Sequence, residues 1–109
     1  MTGTATRPEP GEFATFRDFY PFYLSEHRDR ISRRLHVIGT SLVITTLIVA
    51  LFSGRFALLW LLPLLGYSFA WIGHFFFEKN RPATFKHPFY SLAADFVMFK
   101  DVLTRRIPW

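Results

Sequence analysis

The chain has 109 residues, of which 50% are hydrophobic and 19% aromatic, and it carries a formal net charge of +5. It contains no cysteine, which excludes disulfides, iron-sulfur clusters and every other thiolate metal site. A basic chain can bind nucleic acid, but the basic residues here flank two apolar segments. Contact with anionic lipid headgroups explains them, so we expect a membrane partner and no nucleic acid.

The first eleven residues are polar and contain proline, glycine and threonine, a composition typical of a disordered tail. They lack the basic start and apolar centre of a cleaved signal peptide. We therefore expect the first apolar helix to act as its own insertion signal.

The next segment predicts an amphipathic helix over residues 12–31, which can bend at Pro21. Aromatic side chains recur there at helical spacing, and His27 is in phase with them, which predicts that His27 points inward. The residues of this stripe are Phe13, Phe16, Tyr20, either Tyr23 or Leu24, and His27.

Two uncharged segments follow, separated only by Ser-Gly-Arg at residues 53–55. Each is close to the roughly 20 residues that cross a bilayer, and we predict transmembrane helices at about 35–52 and 56–77. Two buried helices of a soluble bundle are the alternative, but helices that are apolar on every face are rare in so small a soluble domain. All Lys and Arg residues except Arg55 lie outside this hairpin, which predicts that both termini are cytoplasmic.

A proline-bounded loop is predicted at residues 78–88, followed by an amphipathic helix over residues 89–105. The apolar positions of that helix are Phe89, Leu92, Ala93, Phe96, Phe99 and Leu103. The predicted fold is an all-α membrane protein, with residues 12–109 as one membrane domain. Its transmembrane hairpin is flanked by two amphipathic helices at the cytoplasmic interface.

Four histidines fall at or beyond the same end of this hairpin. His36 opens the first span and His74 lies eighteen residues after the start of the second, so an antiparallel hairpin brings them to nearly the same depth. His27 and His36 are nine residues apart, half a turn out of phase, and converge only if the chain bends between them. Ser32 is a candidate N-cap for such a break. His87 lies in the loop on the same side and is a fourth candidate ligand.

Glu78 lies four residues after His74, on the same face if the helix stays regular. Glu78 can therefore act as an oxygen ligand or orient His74 by a hydrogen bond. Histidines with a carboxylate suit iron(II) or zinc. Simpler interpretations are interfacial histidines and a surface ion pair from Glu78 to Lys79 or Arg81. Two other functions also stay open, a haem-binding electron carrier and a non-catalytic membrane scaffold.

The segments FYLSEHRDRISRRLHVIG and GYSFAWIGHFFFEKNRPATFKHP resemble a small membrane-protein family long catalogued as of unknown function. Its fungal endoplasmic-reticulum member is an iron(II)-dependent dioxygenase of 2-hydroxy fatty acids. The resemblance covers nearly all of the chain after residue 12. Ser32 departs from the asparagine of the fungal branch, and fungal members have more spans. The positions that meet the family pattern are His27, His36, Gly39, Gly73, His74, Glu78 and Pro82.

The resemblance implies a membrane dioxygenase that uses O₂ and Fe²⁺ to shorten a 2-hydroxy fatty acid, or a related lipid, by one carbon. Two spans indicate a bacterial-type member in the inner membrane, and such a small hairpin can form homo-oligomers. The predicted site has catalytic, metal-binding and carboxylate-binding groups. These are His27, His36, His74 and Glu78 as catalytic residues, His27, His36, His74 and His87 as metal ligands, and Arg28, Arg33 and Arg81 as substrate-binding residues.

Overall fold

The computed structural model describes residues 13–109, whose regular secondary structure is all helical and which contain no strand. The predicted tail at residues 1–11 lies outside the described residues. A 3-10 segment at Phe56–Trp60 leads into the helix Leu61–Ile72, a π-helical segment at Gly73–Glu78 continues it, and a 3-10 turn at Ala83–Phe85 precedes the last helix. The four α-helices are α1 (Phe16–Ser25), α2 (Arg30–Ser53), α3 (Leu61–Ile72) and α4 (Pro88–Leu103).

The hairpin consists of α2 and of the continuous helical run Phe56–Glu78, which are 24 and 23 residues long. Gly54 ends α2 in the left-handed conformation, with φ 73°, where a side chain would be strained. Both helices are long and apolar enough to cross a membrane. The predicted pair of apolar helices is therefore confirmed, with boundaries close to those expected.

The apolar surface of the hairpin faces outward. In the most apolar part of α2, 28% is buried inside the protein, and in the most apolar part of the run Phe56–Glu78 only 6% is buried. Phe52 and Trp60 near the tip are 89% and 84% exposed. A helix in the core of a soluble protein would be mostly covered, so this surface suits contact with lipid.

Helix α2 begins five residues earlier than predicted, because Asp29 caps it. The Asp29 carboxylate accepts a hydrogen bond from the backbone N–H of Ser32 at 3.0 Å. The prediction of Ser32 as the N-cap is therefore wrong. Ser32 lies inside the first turn and is fully buried.

Helix α1 is shorter than the predicted helix over residues 12–31, since it ends at Ser25. It buries Phe19 and Tyr23 against α4, where Ala94 and Met98 are fully buried. Two tyrosine hydroxyls also join these helices. Tyr20 donates to Asp101 at 2.7 Å, and Tyr23 donates to Asp95 at 2.5 Å.

The buried face of α4 is not the apolar stripe that the sequence indicates. Phe89, Leu92 and Leu103 are between 57% and 83% exposed. The residues buried on this helix combine apolar and polar side chains, namely Ser91, Ala94, Met98, Asp101 and Val102. Phe89, Leu92 and Leu103 therefore point away from the protein. The placement of α1 and α4 at a membrane interface stays a prediction.

Candidate metal centre

Three histidines from separate parts of the chain meet at one end of the hairpin. His27 lies between α1 and α2, His36 lies in α2, and His74 lies in the π-helical segment. Their exposed fractions are between 1% and 4%. The Nε2 atom of His36 lies 3.0 Å from that of His27 and 3.1 Å from that of His74. The predicted equal depth of His36 and His74 is confirmed.

The predicted bend between His27 and His36 is also confirmed. Helix α1 ends at Ser25 and α2 starts at Arg30, so the helix is interrupted between the two histidines. The half-turn offset of an unbroken helix therefore does not apply, and both rings can face the same point. The backbone N–H of His27 still donates to the carbonyl of Leu24 at 3.1 Å, which holds His27 close to the end of α1.

Each histidine is held through its other ring nitrogen. The Nδ1–H groups of His27 and His36 donate to the backbone carbonyls of Tyr23 at 2.6 Å and of Ser32 at 2.8 Å. The Nδ1–H group of His74 donates to Oδ1 of Asn80 at 2.7 Å. A carbonyl oxygen only accepts, so these contacts fix the proton on all three Nδ1 atoms.

This proton assignment leaves three Nε2 lone pairs pointing at one another. Burial, together with the neighbouring His36 and His74 rings, holds the pKa of His27 well below its ordinary value, so this ring is neutral at physiological pH. Three neutral acceptors at such distances repel one another unless a cation lies between them. The ligand atoms all lie within 4.8 Å of one another, and the cluster could hold a metal ion.

Glu78 does not join the cluster. The predicted pairing of Glu78 with His74 assumed a regular α-helix, in which residues four apart share a face. Residues 73–78 form a π-helix instead, whose wider turn changes the phase. The Glu78 carboxylate instead accepts a hydrogen bond from the backbone N–H of Asp29 at 2.9 Å. Glu78 thus ties the end of the second span to the start of α2.

Asn80 orients His74 by a hydrogen bond, a role that the sequence interpretation gave to Glu78. Lys79 adopts a left-handed conformation with φ 61°, and the N–H of Asn80 donates back to the carbonyl of His74 at 3.0 Å. The Asn80 side chain can then accept from His74 while its Nδ2 group donates to the carbonyl of Glu26 at 3.1 Å. The sequence interpretation missed Asn80, and the only signal was an amide just beyond the end of a histidine-bearing helix.

A cavity of about 350 Å³ opens from the histidines and runs between α2 and α3. This volume lies in the range of small-molecule sites. Its wall near the hairpin tip is apolar and includes Val43, Leu47 and Leu62. Among the described residues that line it, none is a lysine or an arginine.

The family model described as 2-hydroxy-palmitic acid dioxygenase Mpo1-like matches residues 13–107. The chain belongs to the Mpo1-like family. The resemblance inferred from the sequence is therefore confirmed. No curated protein and no solved structure shows a match to the chain. The family description supports a dioxygenase and a link to 2-hydroxy fatty acids, and the histidine cluster of this Mpo1-like protein fits a metal-dependent reaction.

His87, the fourth predicted ligand, lies apart from the three-histidine cluster. It precedes α4, and its ring packs against Phe13 and Phe19, with ring centroids 5.3 and 5.2 Å apart. The three predicted substrate-binding arginines also lie outside the cavity wall. Arg28 and Arg81 are exposed, whereas Arg33 donates to the carbonyl of His27 at 3.4 Å.

We predict that Asn80→Ala will weaken metal binding roughly 10- to 100-fold, because His74 loses the acceptor that orients it. The measurement is competition with a chelator of known affinity, using purified protein in detergent. Lys79→Ala is the control, since Lys79 is the exposed neighbour of Asn80. Equal metal affinity in the Asn80 variant and the unmodified protein would show that this hydrogen bond does not tune the site.

Proposed function

We propose that this Mpo1-like protein is an iron(II)-dependent membrane dioxygenase that removes one carbon from 2-hydroxy fatty acids. The observation that carries the proposal is the convergence of three buried Nε2 atoms, each left as an acceptor by a hydrogen bond on its Nδ1 atom. This donor set stands at the end of an apolar cavity in a chain of a dioxygenase family.

His27, His36 and His74 would hold the iron. Three ring nitrogens also suit zinc, but oxygen chemistry requires a metal that changes its redox state. Bound iron(II) would supply O₂ activation and a positive charge for the carboxylate of the substrate. Three protein ligands leave further coordination positions for small molecules.

The chain itself would position the lipid. The cavity wall runs from His36 to Leu47 along α2, about 16 Å at 1.5 Å per residue. This apolar wall would bind the alkyl chain and exclude water around the carbon atoms that react. Because no lysine or arginine lines the described wall, the carboxylate would be bound at the metal centre, and the arginine clamp predicted from the sequence is not part of the proposal.

The hairpin supports the proposed membrane placement. Its two apolar helices would cross the bilayer and leave the histidines close to one surface, where the cavity can receive lipid from the membrane. Arg55 is the only basic residue between His36 and Lys79, so the positive-inside rule puts both termini and the metal centre on the cytoplasmic side.

A haem-binding electron carrier receives no support from this geometry. Two axial ligands of a haem approach the iron from opposite faces of the porphyrin. The Nε2 atoms of neighbouring histidines here are 3.0–3.1 Å apart, which leaves no room for a macrocycle between them.

The test is the metal content and activity of protein purified anaerobically in detergent. We expect near-stoichiometric iron, O₂ consumption with 2-hydroxypalmitic acid, and a fatty acid product one carbon shorter. The matched sample is the triple variant His27→Ala, His36→Ala, His74→Ala, which should lack all three properties. Absence of bound metal in both proteins after iron(II) reconstitution would favour a scaffold, and bound zinc without O₂ consumption would rule out the dioxygenase.

A further inference from the structure

Helix α4 presents two polar side chains to the cavity, apart from the histidines. Ser91 and Asp95 are four residues apart and therefore lie on one face of α4, and both line the cavity. Tyr23 lines it beside them, and its ring stacks on His27 with centroids 4.0 Å apart. This polar wall thus adjoins the metal centre.

The Ser91 hydroxyl is the most informative group of this wall. The residue is 2% exposed, and its Oγ atom finds no hydrogen-bond partner among residues 13–109. Burial of a hydroxyl without a partner costs free energy, and such groups in folded proteins usually meet a ligand or water. Ser91 is one of the residues that line the cavity, so this unpartnered hydroxyl lies next to the space that a ligand would fill.

Asp95 provides an acceptor one turn away. Its Oδ1 atom accepts the hydrogen bond from the Tyr23 hydroxyl. Burial raises the pKa of Asp95 to about 7, and its ionised and protonated forms each offer an oxygen that can accept.

A similar tyrosine-aspartate pair joins the same two helices outside the cavity. Tyr20 donates to Asp101, and neither residue lines the cavity. The packing of α1 on α4 therefore does not require such a pair to face the cavity. The position of Asp95 and Ser91 in its wall calls for a separate explanation.

We infer that Ser91 and Asp95 form a subsite that binds the hydroxyl group of the lipid substrate and selects hydroxylated over non-hydroxylated fatty acids. This inference rests on the proposed function and adds the determinant of its selectivity. A hydroxyl both donates and accepts, so it can donate to the Asp95 carboxyl and accept from Ser91 Oγ–H. A substrate carboxylate only accepts and would be repelled by ionised Asp95, which directs it toward the histidines instead.

The experiment measures binding of 2-hydroxypalmitic acid and of palmitic acid to the iron-loaded protein in lipid nanodiscs, without O₂ so that no turnover occurs. The readout is the ratio of the two dissociation constants. Ser91→Ala should reduce the preference for the hydroxylated acid roughly 3- to 10-fold, the usual effect of one neutral hydrogen bond. It should not lower the thermal unfolding temperature, because the hydroxyl has no partner to lose.

Asp95→Ala should reduce the preference roughly 10-fold or more, because bonds to charged groups are stronger. Asp101→Ala is its matched control, since it removes the other tyrosine-aspartate bond between the same helices and should leave the ratio unchanged. An unchanged ratio in both Ser91→Ala and Asp95→Ala, with turnover intact in the unmodified protein, would overturn this inference alone. Absence of iron or of any acid binding in the unmodified protein would instead refute the proposed function.

Discussion

His74→Ala should remove bound iron and leave no turnover of 2-hydroxypalmitic acid above the metal-free background. The variant loses one of the three nitrogen donors that converge among the described residues, and Asn80 loses its partner as well. Two imidazoles alone make a weak site, so reconstitution with iron(II) should not restore the metal. Elemental analysis of the purified variant and a product assay measure both effects.

The controls for this prediction are the two predicted ligands that lie outside the cluster. His87→Ala and Glu78→Gln should both retain iron, since His87 packs among aromatic rings and Glu78 bonds the backbone of Asp29. Full iron content in His74→Ala would contradict the three-histidine centre. Loss of iron from folded His87→Ala would mean that the fourth histidine reaches the metal.

Gly73→Ala should lower stability by about 1–3 kcal/mol, typical of an overpacked site, and should also deplete the bound iron. A Cβ atom on Gly73 would lie 2.7 Å from Ser32 Oγ, 3.2 Å from Ser32 Cα and 3.3 Å from His36 Cε1. The two spans would have to separate where they carry the histidines. Thermal unfolding in detergent, combined with iron content, measures both effects.

Gly66→Ala is the matched control on the same spanning helix. Its Cβ atom would meet only Val43 Cγ2, at an ordinary contact distance of 3.5 Å. Alanine is preferred to glycine in a helix by about 1 kcal/mol, so this variant should be as stable as the unmodified protein or more stable. Equal behaviour of the two variants would mean that close approach at Gly73 is not needed for the metal centre.

The histidine cluster could be predicted from the sequence because its main constraints are simple distances along helices. Two uncharged segments joined by three residues place His36 and His74 at the same depth, and the half-turn offset of His27 lets it join them only if the chain bends. The structure has both features. The exact cap was missed because Asp29 and Ser32 are both good N-caps, and the choice depends on how the chain arrives from α1.

The groups around the histidines could not be predicted in the same way. The identification of Glu78 as the partner of His74 depended on a regular helical period, which the π-helical segment changes. The buried face of α4 was missed because apolar side chains that turn to lipid and those that turn to a protein core look alike in a sequence. The sequence therefore did not predict that Ser91 and Asp95 line the cavity beside the histidines.

The sequence by itself determined the apolar hairpin, the absence of thiolate chemistry and the meeting of three histidines at one end, since these follow from composition and from a fixed rise per residue. Tertiary structure alone decided which atoms surround them. Asn80 reaches His74 only because the chain turns back at Lys79, and the polar wall of the cavity exists only because α4 packs small residues inward. Such contacts join distant segments, and no local period encodes them.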